Sequence, residues 1–294
     1  MKTALVKESL KELISKQLGL VISSMDLHAV GGGSINDTYK LTINGRPKFF
    51  LKVNSATRFP GLFEKEKSGL TLLAQQRCIL TPAVHWTGII EDYQLLMLEW
   101  IDAGIRDENF WKKFGEELAR LHTLGHEQFG FWEDNYMGSL PQMNNFSDRW
   151  TDFFIQCRLQ PQIELSIAKR LLQKNHIAAF ESLFKKIDSF FEQETPSLLH
   201  GDLWSGNFMC NEKSAPVLID PAVYFGHRSI DLAMTTLFGG FDRLFYDSYN
   251  YHFPLPDNYQ EQWEVCNLYP LLIHLNLFGS SYLGQIERTL RTFQ

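Results

Sequence analysis

Leu198-Leu199-His200-Gly201-Asp202-Leu203-Trp204-Ser205-Gly206-Asn207-Phe208-Met209, followed by Pro216-Val217-Leu218-Ile219-Asp220-Pro221, decides how the rest of the chain folds. Two short apolar runs, residues 198–199 and 217–220, predict buried strands, with a further short strand at Phe208-Met209. A buried run that ends in a carboxylate is costly unless the charge meets a cation or a metal. Asp202, Asn207 and Asp220 therefore form a set, Asn207 five and Asp220 eighteen positions after Asp202. Either Asp202 or Asn207 alone reads as a turn residue bonded to its own backbone. All three together, each beside a short strand, point to a site that handles charge.

The same order and spacing occur in kinase catalytic loops, where one Asp takes the substrate hydroxyl proton and an Asn and a second Asp hold magnesium. Upstream, residues 2–18 put Leu10, Leu13, Ile14 and Leu18 on one helical face, and Gly19 stops the helix. Residues 27–30, 38–43 and 48–53 predict strands, the last two joined by a tight Asn44-Gly45 turn. The run Gly31-Gly32-Gly33-Ser34-Ile35 thus lies between antiparallel strands, not ahead of a helix. That context excludes a Rossmann or Walker loop and suits a flap whose backbone N–H groups cover phosphates.

Lys52 sits inside the apolar run 49–53, where an ammonium needs a partner. In the helix expected over 62–73, Phe63, Leu70 and Leu73 form one stripe, with Glu66 inside it and Glu64 opposite. Glu66 is therefore expected to face Lys52. Residues 93–101 read as a buried strand entering a linker, after which strands give way to long helices. The expected fold is α+β and bilobal: a small antiparallel-sheet lobe with one key helix over residues 1–101, then a larger, mainly helical lobe over 102–294. The first lobe would bind nucleotide, with the Glu99-Trp100-Ile101 backbone meeting adenine in the crevice, and the second would carry catalysis and the acceptor.

Beyond the linker, residues 110–122 predict a helix with Trp111, Phe114, Leu118 and Leu121 on one face and His122 closing it in a structural role. A loop is expected over 128–145, a helix over 150–159, and one amphipathic helix through Ile177, Phe180, Leu183, Phe184, Ile187 and Phe191. Asp231 is expected to act structurally, as a helix charge or paired with Arg228 to brace the loop around Asp202. The C-terminal helices give no chemical signal.

With 294 residues, 44% of them hydrophobic and 21% charged, the composition is that of an ordinary soluble domain or pair of domains. A net charge of −6 argues against nucleic acid as a partner, and none is expected. The start carries no signal-peptide core, and residues 268–283 are too short and too polar to span a bilayer, so no membrane partner is expected. Four scattered cysteines suggest reduced thiols and a cytoplasmic location.

The stretch His200 to Asn207 resembles the signature of the fructosamine/ketosamine-3-kinase family, within the protein-kinase-like small-molecule phosphotransferases. Gly31 to Ile35, Phe50-Leu51-Lys52-Val53-Asn54, Phe63-Glu64-Lys65-Glu66, Phe129-Gly130-Phe131 and Asp220-Pro221-Ala222 extend the likeness over nearly the whole chain. His-Gly-Asp alone would indicate only the broader group with aminoglycoside and choline kinases; Trp204 with Ser205-Gly206-Asn207 narrows it. The resemblance implies ATP- and magnesium-dependent phosphorylation of a ketosamine, free or on protein lysines, at its 3-hydroxyl, and so deglycation. It implies Asp202 as base, Asn207 and Asp220 as magnesium ligands, Lys52 and Glu66 on the phosphates, Gly32, Gly33 and Ser34 as the flap, Glu99 to Ile101 at adenine and Trp204 facing the acceptor. The rival readings are another small-molecule kinase of aminoglycoside or choline type, and a non-catalytic nucleotide-binding protein. Asp220 is followed by Pro221-Ala222 instead of Phe-Gly, so activation-loop switching is not implied. Ser34 stands where some members carry cysteine, so thiol regulation is not carried over.

Overall fold

A computed structural model describes residues 5–31, 35–46 and 48–293. The first helix, α1 (Leu5–Leu18), buries Leu10 and Ile14 and ends at Gly19 with φ 64°. A five-stranded antiparallel sheet follows, built from β1 (Met25–Ala29), β2 (Asp37–Ile43), β3 (Lys48–Ser55), β4 (Val84–Ile90) and β5 (Tyr93–Glu99) in the order β1-β2-β3-β5-β4. Asn44 and Gly45 both have positive φ, 48° and 75°, as a twist-matched hairpin turn between β2 and β3 requires. Gly32, Gly33 and Ser34, expected to form the phosphate flap, lie outside the described residues. Between β3 and β4 runs α2 (Leu62–Gln76), which buries Leu62, Phe63, Leu70 and Leu73.

From Glu108 onward the chain is mainly helical: α3 (Glu108–His122), α4 (Trp150–Phe153), α5 (Gln160–Ala168), α6 (Lys174–Phe184), α7 (Ser229–Met234), α8 (Arg243–His252), α9 (Tyr259–Cys266), α10 (Leu268–Phe278) and α11 (Leu283–Thr292). Asp107 caps α3, its carboxylate accepting the Phe110 N–H at 2.8 Å. Short hairpins are set among these helices. Strands β6 (Asn135–Met137) and β7 (Leu140–Gln142) pair within the region expected to be loop. The pairs β8 (Ser197–Leu199) with β11 (Tyr224–Gly226) and β9 (Phe208–Cys210) with β10 (Pro216–Leu218) frame the segment quoted at the outset. The α+β architecture is as expected, and no helix among the described residues is long and apolar enough to cross a membrane.

Three local expectations are corrected. The helix expected over 150–159 opens after Phe153 into a π-helical turn, Phe154–Leu159, which seats the buried Arg158. The helix expected through Phe191 stops at Phe184, and a 3₁₀ turn, Ile187–Phe190, follows. The run 217–220 leaves the sheet at Leu218, because Asp220 takes a left-handed φ of 57°.

Just beyond the β8–β11 pair, Gly201 has φ 83°, and a Cβ there would lie 2.0 Å from the Ala222 carbonyl oxygen. Strain and overlap act together at this point. Gly201→Ala should lower unfolding free energy by about 2–4 kcal/mol, read by urea denaturation. A parent-like midpoint would contradict this close approach.

Candidate active site

Lys52 lies in the middle of β3, paired with Thr38 on one side and Leu96 on the other, and is 2% exposed. Its ammonium is 2.7 Å from Glu66 Oε1 and 2.8 Å from Asp220 Oδ1. The expected Lys52–Glu66 pair is present, because the α2 stripe turns Glu66 inward while Glu64 stays exposed beside Lys67. Asp220 joins the same lysine, so one buried cation ties β3, α2 and the segment after β10 together. Burial works against the Lys52 charge, but Asp220 and Glu66 outweigh it and raise its pKa. Burial likewise pushes Glu66 up to about 7, against the attraction of Lys52 and with the Asp220 charge.

The loop from β8 to β9 is held from beneath. Asp231, fully buried in α7, accepts the backbone N–H groups of His200 at 2.7 Å and Gly201 at 2.8 Å. His122 bridges Asp231, at 3.2 Å, and the Tyr249 hydroxyl, at 2.8 Å. His122 is thus structural, as expected, and Asp231 braces the loop. The expected Arg228–Asp231 pair does not form: Arg228 reaches Glu194 at 2.9 Å, and the Asp231 oxygens are taken by backbone amides. His200 donates from Nε2 to the Ile219 carbonyl at 2.9 Å, and burial lowers its pKa, which keeps it neutral. Asn207 donates from Nδ2 to both the carbonyl (2.8 Å) and Oδ2 (2.9 Å) of Asp202. Desolvation and the Asp220 carboxylate push the Asp202 pKa well up, against the Asn207 hydrogen bond.

Lys52, Glu66, Asp202, Trp204, Asn207 and Asp220 line one cavity of about 550 Å³. Its far wall is aromatic: Trp204 meets Phe238 edge-on at 5.7 Å, Phe238 lies 4.8 Å from His274, and His274 lies 5.0 Å from Tyr282. His274, Phe278 and Tyr282 come from α10 and the turn after it, so the C-terminal helices, which carry no chemical signal in sequence, line part of this cavity. Their spacing of four residues, one helical face of rings, was the available signal. His274 bonds the Pro270 carbonyl through Nδ1 at 2.7 Å, and burial holds its pKa down.

Glu99, Trp100 and Ile101 do not line this cavity. The Glu99 carboxylate accepts the Ala83 N–H at 3.1 Å, and Trp100 Nε1 donates to Asp102 at 2.8 Å. The Glu99 backbone N–H is also engaged, donating to the Ala83 carbonyl at 2.8 Å. Two carboxamides of the β6–β7 hairpin, absent from the expected site, bond the backbone just after Asp220: Asn135 donates to Val223 and Gln142 to Ala222.

A family model described as fructosamine kinase matches residues 6–293. A protein named a probable ketoamine kinase from Synechocystis sp. is 36% identical over 287 residues, 97% of this chain and 95% of that one. A crystal structure from Thermobifida fusca, provisionally named a fructosamine-3-kinase, superposes with a TM-score of 0.86 at 28% identity, over 96% of this chain and 97% of that one. The choline kinase LicA of Streptococcus pneumoniae shares the fold alone, with a TM-score of 0.64 at 14% identity over 99% of both chains.

The raised Asp202 pKa has a stability consequence. An acid whose folded pKa lies above its unfolded one costs stability as pH rises through that interval. With chelator present, Asp202→Asn should raise Tm at pH 8, and the gain should shrink as pH falls toward about 4, the ordinary Asp value. A gain that is absent at pH 8, or that grows on acidification, would contradict the assignment.

Proposed function

The chain belongs to the fructosamine kinase family, and from that premise we propose that it transfers the γ-phosphoryl group of ATP to the 3-hydroxyl of a ketosamine. It is an ATP-dependent phosphotransferase; the acceptor position, the deglycation role and the residue roles below are the proposal. The observation that carries it is the convergence of Lys52, Glu66, Asp202, Asn207 and Asp220 on one cavity that Trp204, Phe238, His274 and Tyr282 also line.

Asp202 orients the acceptor hydroxyl toward the γ-phosphorus and takes its proton as the new O–P bond forms and ADP leaves in line. Burial and the Asp220 carboxylate raise its pKa, which makes its carboxylate a stronger proton acceptor. Lys52, held by Glu66, sets the phosphates. Asp220 and the carboxamide oxygen of Asn207 would hold magnesium. The fit rests on the donor set: Asp202, Asn207 and Asp220 line the same cavity, and Lys52 is shared between Glu66 and Asp220. When bound, the ion neutralises charge on the transferring phosphoryl group.

Trp204 and the ring wall offer apolar faces to the sugar and to its amine substituent, a cation that aromatic faces attract. The Glu99-Trp100-Ile101 backbone meets adenine, and Gly32, Gly33 and Ser34 cover the phosphates. In this reading residues 1–101 form the nucleotide lobe and residues 102–294 the catalytic and acceptor lobe. Ketosamines on free amino acids and on protein lysines are both within its scope. Four buried free cysteines accord with work in the cytoplasm.

With ATP and magnesium, turnover is expected on ribulosyl-lysine or fructosyl-lysine and not on an aminoglycoside or choline. Asp202→Ala should cut that turnover about 10²–10⁴-fold while leaving ATP affinity largely intact. Asp220→Ala should weaken magnesium-nucleotide binding. Parent-like turnover in the Asp202 variant, or activity confined to the aminoglycoside or choline, would overturn the proposal.

A further inference from the structure

We propose that Arg158 is a positioning residue for Asp220, acting through a buried relay of carboxamides. This rests on the reading of Asp220 as a magnesium ligand.

Arg158 is fully buried in the π-helical turn Phe154–Leu159, and no carboxylate lies within ion-pair distance of it among the described residues. A buried charge without a counter-charge is costly and persists where its hydrogen bonds are needed. Its guanidinium lies 3.9 Å from the Tyr224 ring centre and 4.6 Å from that of Phe153. It donates to the carbonyls of Met143 (2.5 Å) and Cys157 (3.1 Å) and to Asn144 Oδ1 at 2.6 Å.

Guanidinium can only donate, and that fixes the sense of everything beyond it. Asn144 must offer its oxygen to Arg158, so its Nδ2 donates onward to Asn135 Oδ1 at 3.1 Å. Asn135 Oδ1 also receives Gln142 Nε2 at 2.8 Å, which turns Asn135 Nδ2 onto the Val223 carbonyl at 2.8 Å. Gln142 is oriented from its other end by the Tyr269 hydroxyl, which donates to Oε1 at 2.8 Å, and Gln142 Nε2 reaches the Ala222 carbonyl at 3.2 Å. The relay ends on two consecutive carbonyls, two and three residues past Asp220.

The other side of that strap is closed by α2. A Cβ on Gly69, one turn after Glu66, would lie 3.3 Å from both Pro221 and Val223 side chains. Asp220 itself holds a left-handed φ of 57°, a conformation a non-glycine residue keeps only where its surroundings over-determine it. Relay and helix together hold the strap, and the strap aims Asp220 at Lys52 and the cavity.

The test is calorimetric binding of a non-hydrolysable ATP analogue with and without magnesium, alongside Tm, so that metal-assisted affinity is separated from folding. Arg158→Met removes the donor. Asn144→Asp keeps a partner for Arg158, and gains a buried ion pair, but offers Asn135 Oδ1 no donor. Both should lose about ten- to a hundredfold of the magnesium-dependent affinity, with magnesium-free affinity unchanged, and Arg158→Lys should recover part of it. If Arg158→Met does not fold, Asn144→Asp decides. Folded variants that keep the parent's magnesium dependence, while Asp220→Asn loses it, overturn the positioning role. Retention in Asp220→Asn itself overturns the magnesium role of Asp220, and this proposal with it.

Discussion

One buried ammonium organises this molecule. Lys52 has almost no solvent contact, and its charge is tolerable only because Glu66 and Asp220 lie 2.7 and 2.8 Å away. Each partner belongs to a different element, so satisfying one charge fixes three pieces of chain. The α2 helix must present the face that carries Glu66, and the chain after β10 must turn left-handed at Asp220. Two carboxylates on one lysine leave surplus negative charge near Asp202, a setting that favours a divalent cation.

The loop from β8 to β9 obeys the same constraint. Buried N–H groups of His200 and Gly201 need acceptors, and Asp231 supplies them; its own charge is steadied by His122, which leans on Tyr249. Nothing in this chain of contacts touches the cavity, yet it sets where Asp202 stands. The floor is polar and rigid while the far wall, from Trp204 to Tyr282, is a set of rings. Charged groups and rings thus line one space, the composition that the proposed phosphoryl transfer to a sugar-derived acceptor calls for.

Much of this was legible in residue order. Lys52 and Glu66 could be paired because a lysine in an apolar strand and a glutamate in an apolar helical stripe each lack a partner, and α2 follows β3 directly. Asp202, Asn207 and Asp220 were legible by spacing. What could not be read was tertiary: Asp220 also reaching Lys52, Arg228 choosing Glu194 over Asp231, and α10 bringing His274 to the cavity. Periodicity places a residue on a face of its own helix and is silent about what that face meets. The π-helical turn at Arg158 escaped for a related reason, since one extra residue in a turn leaves no mark on composition. Gly32, Gly33 and Ser34 fall outside the described residues, and their part rests on sequence alone.

The most direct test of the account is the position of the transferred phosphate. Phosphorus NMR of a reaction with ATP, magnesium and ribulosyl-lysine, resolved by proton–phosphorus coupling, identifies the carbon that bears it. The account predicts one phosphomonoester coupled to the proton on carbon 3, rising and then decaying as free lysine appears. A stable phosphate on any other hydroxyl, or no phosphorylated ketosamine at all, would contradict it.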